Sequence, residues 1–138
     1  MADVYRGRAL VKGFAAGEVL ISKEPISFFG DVDPDSGVIV KKGHELRGLS
    51  LSGKIFVFPY GIGSTVGSYI IYRLSKKGAA PSAIVNVQSE PIIVAGCVLA
   101  KIPLMDRLEV NPLEVLRSGY LVEVDCFKGE LRVLSKKA

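Results

Sequence analysis

The sequence predicts a mixed α/β domain with few helices, in which strands outnumber helices, and two stretches carry this prediction. Residues 54–87 pass from an apolar strand through a glycine-rich loop into a helix and on to a second apolar strand, the order of a β-α-β unit. Residues 120–134 alternate apolar and polar side chains around a short turn, which is typical of an antiparallel hairpin. With 138 residues, 49% of them hydrophobic, the chain can enclose a sizeable core, and we expect one domain over residues 1–138.

The first third of the chain is rich in short strand signals separated by glycines. Val4–Val11 predicts one strand, Gly13–Gly17 a tight turn, and Glu18–Ser22 a second strand. Residues 27–37, SFFGDVDPDSG, are dense in Asp, Gly and Pro and predict a loop, which leads into a short strand at Val38–Val40. The two adjacent phenylalanines of this loop either anchor it to the core or contact a partner or substrate.

The central unit begins with the apolar strand Lys54–Phe58. Three apolar residues at helical spacing follow it: Val66, Ile70 and Leu74. Ser64 or Thr65 can cap the N-terminus of this helix, and Gly78 suits the position just beyond its last turn. The next apolar run, Ala83–Val87, predicts a strand parallel to the first, because a helix separates the two.

The remaining elements are short. Glu90–Ala100 is apolar and fits either a short helix or a strand interrupted at Gly96, since periodicity does not separate the two. The segment around Pro103 predicts another short strand. Tyr120–Cys126 and Glu130–Leu134 are the two strands of the hairpin.

Charge and cysteine content narrow the possible partners. The net charge of +4 suits an anionic small molecule or an acidic partner, while scattered basic residues without interleaved aromatics argue against nucleic acid. No apolar run reaches the roughly 18 to 20 residues that cross a bilayer, and the N-terminus lacks a signal or transit pattern. Cys97 and Cys126 are too few for a disulfide framework and are expected to be small core residues. We therefore expect a soluble cytoplasmic protein without a membrane partner.

The segment with a chemical signature is the glycine-rich loop Tyr60–Ser68, YGIGSTVGS. Its glycines allow close backbone approach, and the N-terminus of the following helix favours an anion such as a carboxylate or phosphate. The loop lacks the lysine of a P-loop and the glycine spacing of a dinucleotide-binding loop. Within it, Ser64 is either a plain helix cap or a catalytic residue, and the pattern alone does not separate these alternatives.

Few other residues are candidates for a catalytic role. The single histidine, His44, lies in the charged segment KKGHELRG, where a surface or turn position is expected rather than the base of a hydrolase triad. Asp31, Asp33 and Asp35 could hold a cation, but aspartates in a loop rich in Gly and Pro more often form Asx turns. Two isolated cysteines and one histidine do not supply the ligands of a metal or iron–sulfur site. If this domain takes part in chemistry, we expect it to need a partner.

Several segments together resemble the small subunits of the aconitase X family, and the resemblance covers nearly the whole chain. Five segments carry it: SFFGDVDPDSGVI (27–39), HELRG (44–48), FPYGIGSTVGSYIIYRL (58–74), GAAPSAIVN (78–86) and EPIIVAGCVLAKIP (90–103). Members of that family often carry Trp and Gly at two positions where this chain has Phe29 and Asp31. These departures concern the 27–37 loop and not Ser64.

The resemblance implies a swivelling β/β/α domain with mixed sheets, similar to the swivel domain of aconitase. It implies a hydro-lyase heterodimer, in which a large catalytic subunit carries a four-iron four-sulfur cluster and this chain, holding no metal itself, closes over it. The catalytic serine of the family corresponds to Ser64, which is expected to accept a proton from the substrate. Gly63, Thr65, Ser27 and Asp33 are expected to bind the small anionic substrate.

The reaction that the resemblance favours is dehydration of (R)-5-phosphomevalonate to trans-anhydromevalonate 5-phosphate, in a modified mevalonate pathway to isoprenoids. Dehydration of cis-3-hydroxyproline is an alternative, because no residue of the sequence indicates whether the substrate carries a phosphate group or a proline ring. Two other classes stay open. One is a phosphohistidine carrier on a similar fold, although a carrier histidine should follow a glycine-rich turn and His44 does not. The other is a non-catalytic anion-binding module. Partner dependence separates the dehydratase from both, since a carrier or binding module works without a large subunit.

Overall fold

The computed structural model describes residues 3–137. Its strands are β1 (Val4–Arg6), β2 (Arg8–Val11), β3 (Phe14–Ile21), β4 (Ile55–Phe58), β5 (Ala83–Asn86), β6 (Leu104–Asp106), β7 (Leu121–Asp125) and β8 (Glu130–Ser135). Its helices are α1 (Phe28–Asp31), α2 (Gly67–Lys76), α3 (Pro91–Ala100) and α4 (Pro112–Val115). In α1, the backbone leaves helical geometry at Phe29 and Gly30. No helix within residues 3–137 has the length and apolar character needed to span a membrane.

The strands join one mixed sheet in the order β1-β8-β7-β3-β4-β5-β6-β2. Neighbours from β3 to β6 are parallel, whereas every other neighbouring pair is antiparallel. Strand β3 belongs to both parts, because its first five residues pair with β7 and its last three with β4. The edge strands β1 and β2 are consecutive in the chain and meet at Gly7, so the sheet curls round and its two edges come together. The Gly7 amide donates to the Gly129 carbonyl at 2.9 Å.

Both faces of the central strands are buried, because side chains alternate across a strand. On β4, Phe56 and Phe58 face α2 and α3, while Ile55 and Val57 face the inside of the curled sheet, and all four have no exposed surface. The inner cluster also takes in apolar residues of β7 and β8. The layers are therefore strand, strand and helix, which confirms the mixed α/β prediction and gives the β/β/α order that the resemblance implied.

Helices α2 and α3 pack closely against each other on one face of the sheet. A methyl group at Gly96 of α3 would lie 2.6 Å from the Cδ1 and 3.0 Å from the Cβ of Ile71 on α2, so a side chain there would force its neighbours to shift. The ambiguous segment Glu90–Ala100 is thus a helix, started by a Glu–Pro pair. The predicted end of α2 is confirmed: Gly78 has φ +70°, and the following amide donates to the Leu74 carbonyl at 2.9 Å.

Three predictions for the first third were wrong. The expected strand Val4–Val11 divides at Gly7, because its halves pair with β8 and β6 respectively. Four of the five residues of the expected turn Gly13–Gly17 are part of β3, since pairing with β7 keeps the chain extended from Phe14 through Gly17. Val38–Val40 forms only isolated bridges, to Val32 and Ser50, and no continuous strand.

Candidate functional site

The glycine-rich loop leaves the carboxyl end of β4 and leads into α2. A short ladder fixes its first half, because the Ile26 amide donates to the Tyr60 carbonyl at 3.2 Å and the Ile62 amide donates to the Ile26 carbonyl at 2.9 Å. From Ile62 to Val66 the loop is exposed. The carboxyl edge of a parallel sheet is where α/β folds commonly build binding sites.

Ser64 lies at the surface and opens the turn that precedes α2. Its hydroxyl oxygen accepts a hydrogen bond from the Val66 amide at 3.1 Å, and its carbonyl accepts from the Gly67 amide at 2.9 Å. Val66, not Ser64 or Thr65, is the N-cap residue, so that prediction was wrong. The reason is that the turn formed by Thr65 and Val66 comes between Ser64 and the helix. A backbone amide and the positive end of α2 both favour negative charge on the Ser64 oxygen.

Ser27 packs directly against Gly63. Gly63 has φ +91°, and a side chain there would collide with the Ser27 hydroxyl group. The Ser27 hydroxyl donates to the Phe29 carbonyl at 2.8 Å, and the Ser27 amide donates to the Asp31 carboxylate at 2.9 Å. The structure therefore brings Ser27 next to the Gly63–Thr65 segment, although its hydroxyl is engaged within its own turn.

Asp33 lies farther along the 27–37 loop, in an Asx turn. Its carboxylate accepts from the Asp35 amide at 2.8 Å and the Ser36 amide at 3.3 Å, and these bonds hold the pKa of Asp33 below its usual value. Asp35 pairs with Arg73 at 2.7 Å, about 9 Å along the helix axis from the first residue of α2. The loop around Asp33 is thus tied to the far half of α2 rather than to the turn of Ser64.

His44 lies in a turn, which was one of the two expected positions, but its side chain is buried and not at the surface. Its Nδ1 accepts from the Leu46 amide at 2.9 Å, so the proton of the neutral ring is on Nε2, which lies 3.0 Å from the Ser22 hydroxyl. The ring holds the 41–48 turn against the end of β3. A buried ring with both nitrogens engaged does not suit a phosphohistidine carrier.

The two adjacent phenylalanines have different environments. Phe28 is 2% exposed and packs edge-on against Phe56 and Phe58, with ring centroids 6.3 and 6.1 Å away. Phe29 is 54% exposed. Ile62 and Val66, on the glycine-rich loop Tyr60–Ser68 (the serine loop), are also exposed. Phe28 is therefore the anchor of its loop, while Phe29 is free to contact a partner.

The ligands of this chain do not fit an iron–sulfur cluster. Within residues 3–137, no three His, Cys, Asp or Glu side chains are grouped as metal ligands. Cys97 is buried on the helical side of the sheet and Cys126 on the inner side. Burial raises the pKa of Cys126 to about 12 and also raises that of Cys97, so neither thiol readily becomes the thiolate that binds metal.

Glu90 also borders the serine loop and was not among the predicted site residues. Its carboxylate lies against Gly61, which has no room for a side chain. The sequence signal was the Glu–Pro pair before an apolar run, which indicates a helix start. Nothing in the sequence placed that helix start beside the serine loop.

Comparison with known proteins places the chain in a family. The model of the aconitase X swivel domain matches residues 4–133. A phosphomevalonate dehydratase small subunit from Methanosarcina acetivorans is 48% identical over 132 residues, covering 96% of this chain and 92% of that protein. The crystal structure of Thermococcus kodakaraensis aconitase X in its holo-form has a TM-score of 0.91 at 42% identity, covering 96% of this chain and 99% of that chain. A 3-isopropylmalate dehydratase from Methanocaldococcus jannaschii, at a TM-score of 0.61 and 13% identity over 91% of this chain and 84% of that chain, shares the fold alone. The chain belongs to the aconitase X swivel-domain family.

Proposed function

We propose that this chain is the small subunit of a hydro-lyase that dehydrates (R)-5-phosphomevalonate to trans-anhydromevalonate 5-phosphate in a modified mevalonate pathway. A relative 48% identical over nearly the full length of both chains is named phosphomevalonate dehydratase small subunit, and this supports the substrate. The main structural support for this site is the exposed hydroxyl group of Ser64. Its oxygen accepts a hydrogen bond from the Val66 amide, next to the positive N-terminal end of α2. That environment suits an oxygen that must bear negative charge.

In this proposal Ser64 is the catalytic proton acceptor. A serine oxygen is a poor base unless its alkoxide is stabilised, and the Val66 amide with the α2 N-terminus supplies that stabilisation. The Ser64 oxygen takes the proton from the carbon next to the substrate carboxylate. The electrons of that C–H bond form the new double bond, and hydroxide leaves from the neighbouring carbon.

The substrate contacts are assigned to residues beside Ser64. Gly63 and Thr65 flank it in an exposed segment at the helix N-terminus, where backbone amides suit a carboxylate or phosphate. Ser27 borders Gly63 and is retained as a contact, although its hydroxyl must leave the Phe29 carbonyl to reach substrate. Asp33 is retained with least support, because its carboxylate is bonded within its own turn.

The active site is completed by a large subunit. Relatives of this chain are named as small subunits, which supports a large partner subunit. Ser64 is exposed, and so are the apolar side chains of Ile62 and Val66 on the same loop and of Phe29, whose backbone lies near Gly67. A partner closing over them excludes water from the proton transfer. We place the four-iron four-sulfur cluster on that subunit, since the ligands of this chain do not fit it. Free buried thiols fit a reducing compartment, which supports a cytoplasmic heterodimer.

The test is anaerobic dehydration of 5-phosphomevalonate by this chain combined with its large subunit. We expect Ser64→Ala to assemble normally and to lose about 10² to 10⁴-fold in kcat, the usual contribution of a general base. Ser135→Ala is the matched control. The Ser135 hydroxyl oxygen also accepts a hydrogen bond from the backbone amide two residues later, that of Lys137, at 3.3 Å. Ser135 ends β8 and is far from the serine loop in sequence. Near-normal turnover by Ser64→Ala would show that Ser64 only stabilises its turn. An intact complex that leaves phosphomevalonate unchanged would exclude this substrate.

A further inference from the structure

Glu90 has two separate contacts, one with its own helix and one with the serine loop. Its Oε2 accepts from the Ile92 amide and its Oε1 from the Ile93 amide, both at 2.9 Å, so the carboxylate caps α3 and is held in one orientation. The same Oε1 lies against Gly61, where a methyl group would collide with it and would come within 2.5 Å of Ile93 Cγ1. Capping explains the first contact but not the second.

Gly61 is held between two supports. On one side it forms a parallel bridge with Ile26, and on the other it rests on Glu90 and Ile93. Gly61 does not have a positive φ, so glycine is needed at this position for lack of space and not for backbone conformation. The exposed segment that contains Ser64 follows directly after Gly61, so the position of Gly61 contributes to the path of that segment.

The residue before Glu90 is held by hydrogen bonds to neighbouring strands. The Ser89 amide donates to the carboxylate of Asp106 at 2.8 Å, and the Ser89 hydroxyl donates to Asn86 at 2.8 Å. Asp106 is fully buried and is held by two bonds from Arg8, at 2.8 and 2.9 Å. A support fixed from β5, β6 and β2 can define the position of the loop resting on it.

We propose that Glu90 is a positioning residue for Ser64: its carboxylate supports Gly61 and thereby sets where the Ser64 oxygen stands. This rests on the proposed role of Ser64 as proton acceptor. Displacing a catalytic group by about 1 Å can lower a rate about 10²-fold, so a gap beneath Gly61 has a measurable effect on kcat.

Two conservative variants separate support from capping. Glu90→Asp keeps a carboxylate that caps a helix well but is one methylene shorter, so it withdraws from Gly61. Glu90→Gln keeps the length and the contact with Gly61, but its NH₂ group faces an amide N–H and weakens the cap. Asn111→Ala is the control for cap loss, because Asn111 caps α4 through the Leu113 amide at 3.0 Å, on the other face of the sheet.

The experiment measures kcat of each variant in the assembled complex and Tm of each variant chain. We expect Glu90→Asp to lose about 10²-fold in kcat at nearly unchanged Tm. Glu90→Gln and Asn111→Ala are expected to lower Tm by about 3 °C while kcat stays near that of the wild type. Wild-type kcat in Glu90→Asp, or an equal loss in Glu90→Gln, overturns the proposal.

A second readout does not depend on turnover. Amide chemical shifts of the full ¹⁵N-labelled chain should move over residues 61–64 in Glu90→Asp and stay in place there in Asn111→Ala. Shift changes confined to α3 overturn the positioning role. If the wild-type complex does not dehydrate the substrate, the proposed function fails, and the amide shifts still decide the role of Glu90.

Discussion

Replacing each of the adjacent phenylalanines by alanine should give opposite results, although the two residues are neighbours in the sequence. Phe28 is 2% exposed and makes two edge-on ring contacts, whereas Phe29 is 54% exposed. Deleting a buried phenylalanine typically destabilises a protein by about 3–5 kcal/mol, which includes the cavity left behind. We therefore expect Phe28→Ala to lower the free energy of unfolding by about 3–5 kcal/mol and Phe29→Ala to change it by less than about 0.5 kcal/mol.

The assay is urea unfolding of the isolated chain followed by far-ultraviolet circular dichroism. The m-value should stay constant while the midpoint falls in Phe28→Ala, because the surface exposed on unfolding hardly changes. Phe29→Ala should leave the midpoint in place and weaken assembly with the large subunit. If Phe28→Ala lowered the free energy of unfolding by less than about 1 kcal/mol, the role of Phe28 as the anchor of its loop would be refuted. An equal loss in Phe29→Ala would refute the difference in burial.

Two further predictions concern ionisable groups. Burial raises the pKa of Cys126 to about 12, from 9.0, and raises that of Cys97 as well, so both thiols should resist alkylation in the native chain and react fully in urea. Because the unfolded thiols ionise first, the free energy of unfolding should be unaffected below about pH 9 and fall as the pH rises above it; a flat profile to pH 11 would contradict this. Hydrogen bonds from two backbone amides of the turn lower the pKa of Asp33 from 3.8. The ionised carboxylate of Asp33 should therefore stabilise the folded chain above about pH 4, and this stabilisation should be lost as the pH falls through the lower pKa of the folded state. In urea midpoints between pH 2 and 6, Asp33→Asn should show a shallower acid loss than the wild type, and an identical profile would argue against the Asx turn.

The sequence predicted those parts of the fold that depend on local pattern. The β-α-β unit, the C-terminal hairpin and the glycine end of α2 follow from apolar periodicity and turn chemistry, which act over a few residues. Where a strand forms by pairing with a strand that is distant in the chain, the local sequence pattern gave a wrong prediction. Gly13–Gly17 has the composition of a turn, yet pairing with β7, about a hundred residues away, keeps its last four residues extended.

The same division holds for the candidate site. The sequence by itself determined the serine loop, its helix and the family resemblance, because these are contained in contiguous segments. Only the tertiary structure decided that His44 is buried against Ser22, that Ser27 lies against Gly63 and that Glu90 lies against Gly61. Each of these contacts joins segments that are distant in the chain, and the sheet order and the packing of α3 bring them together. Local pattern specifies which residues a segment offers, whereas long-range packing specifies which of them meet.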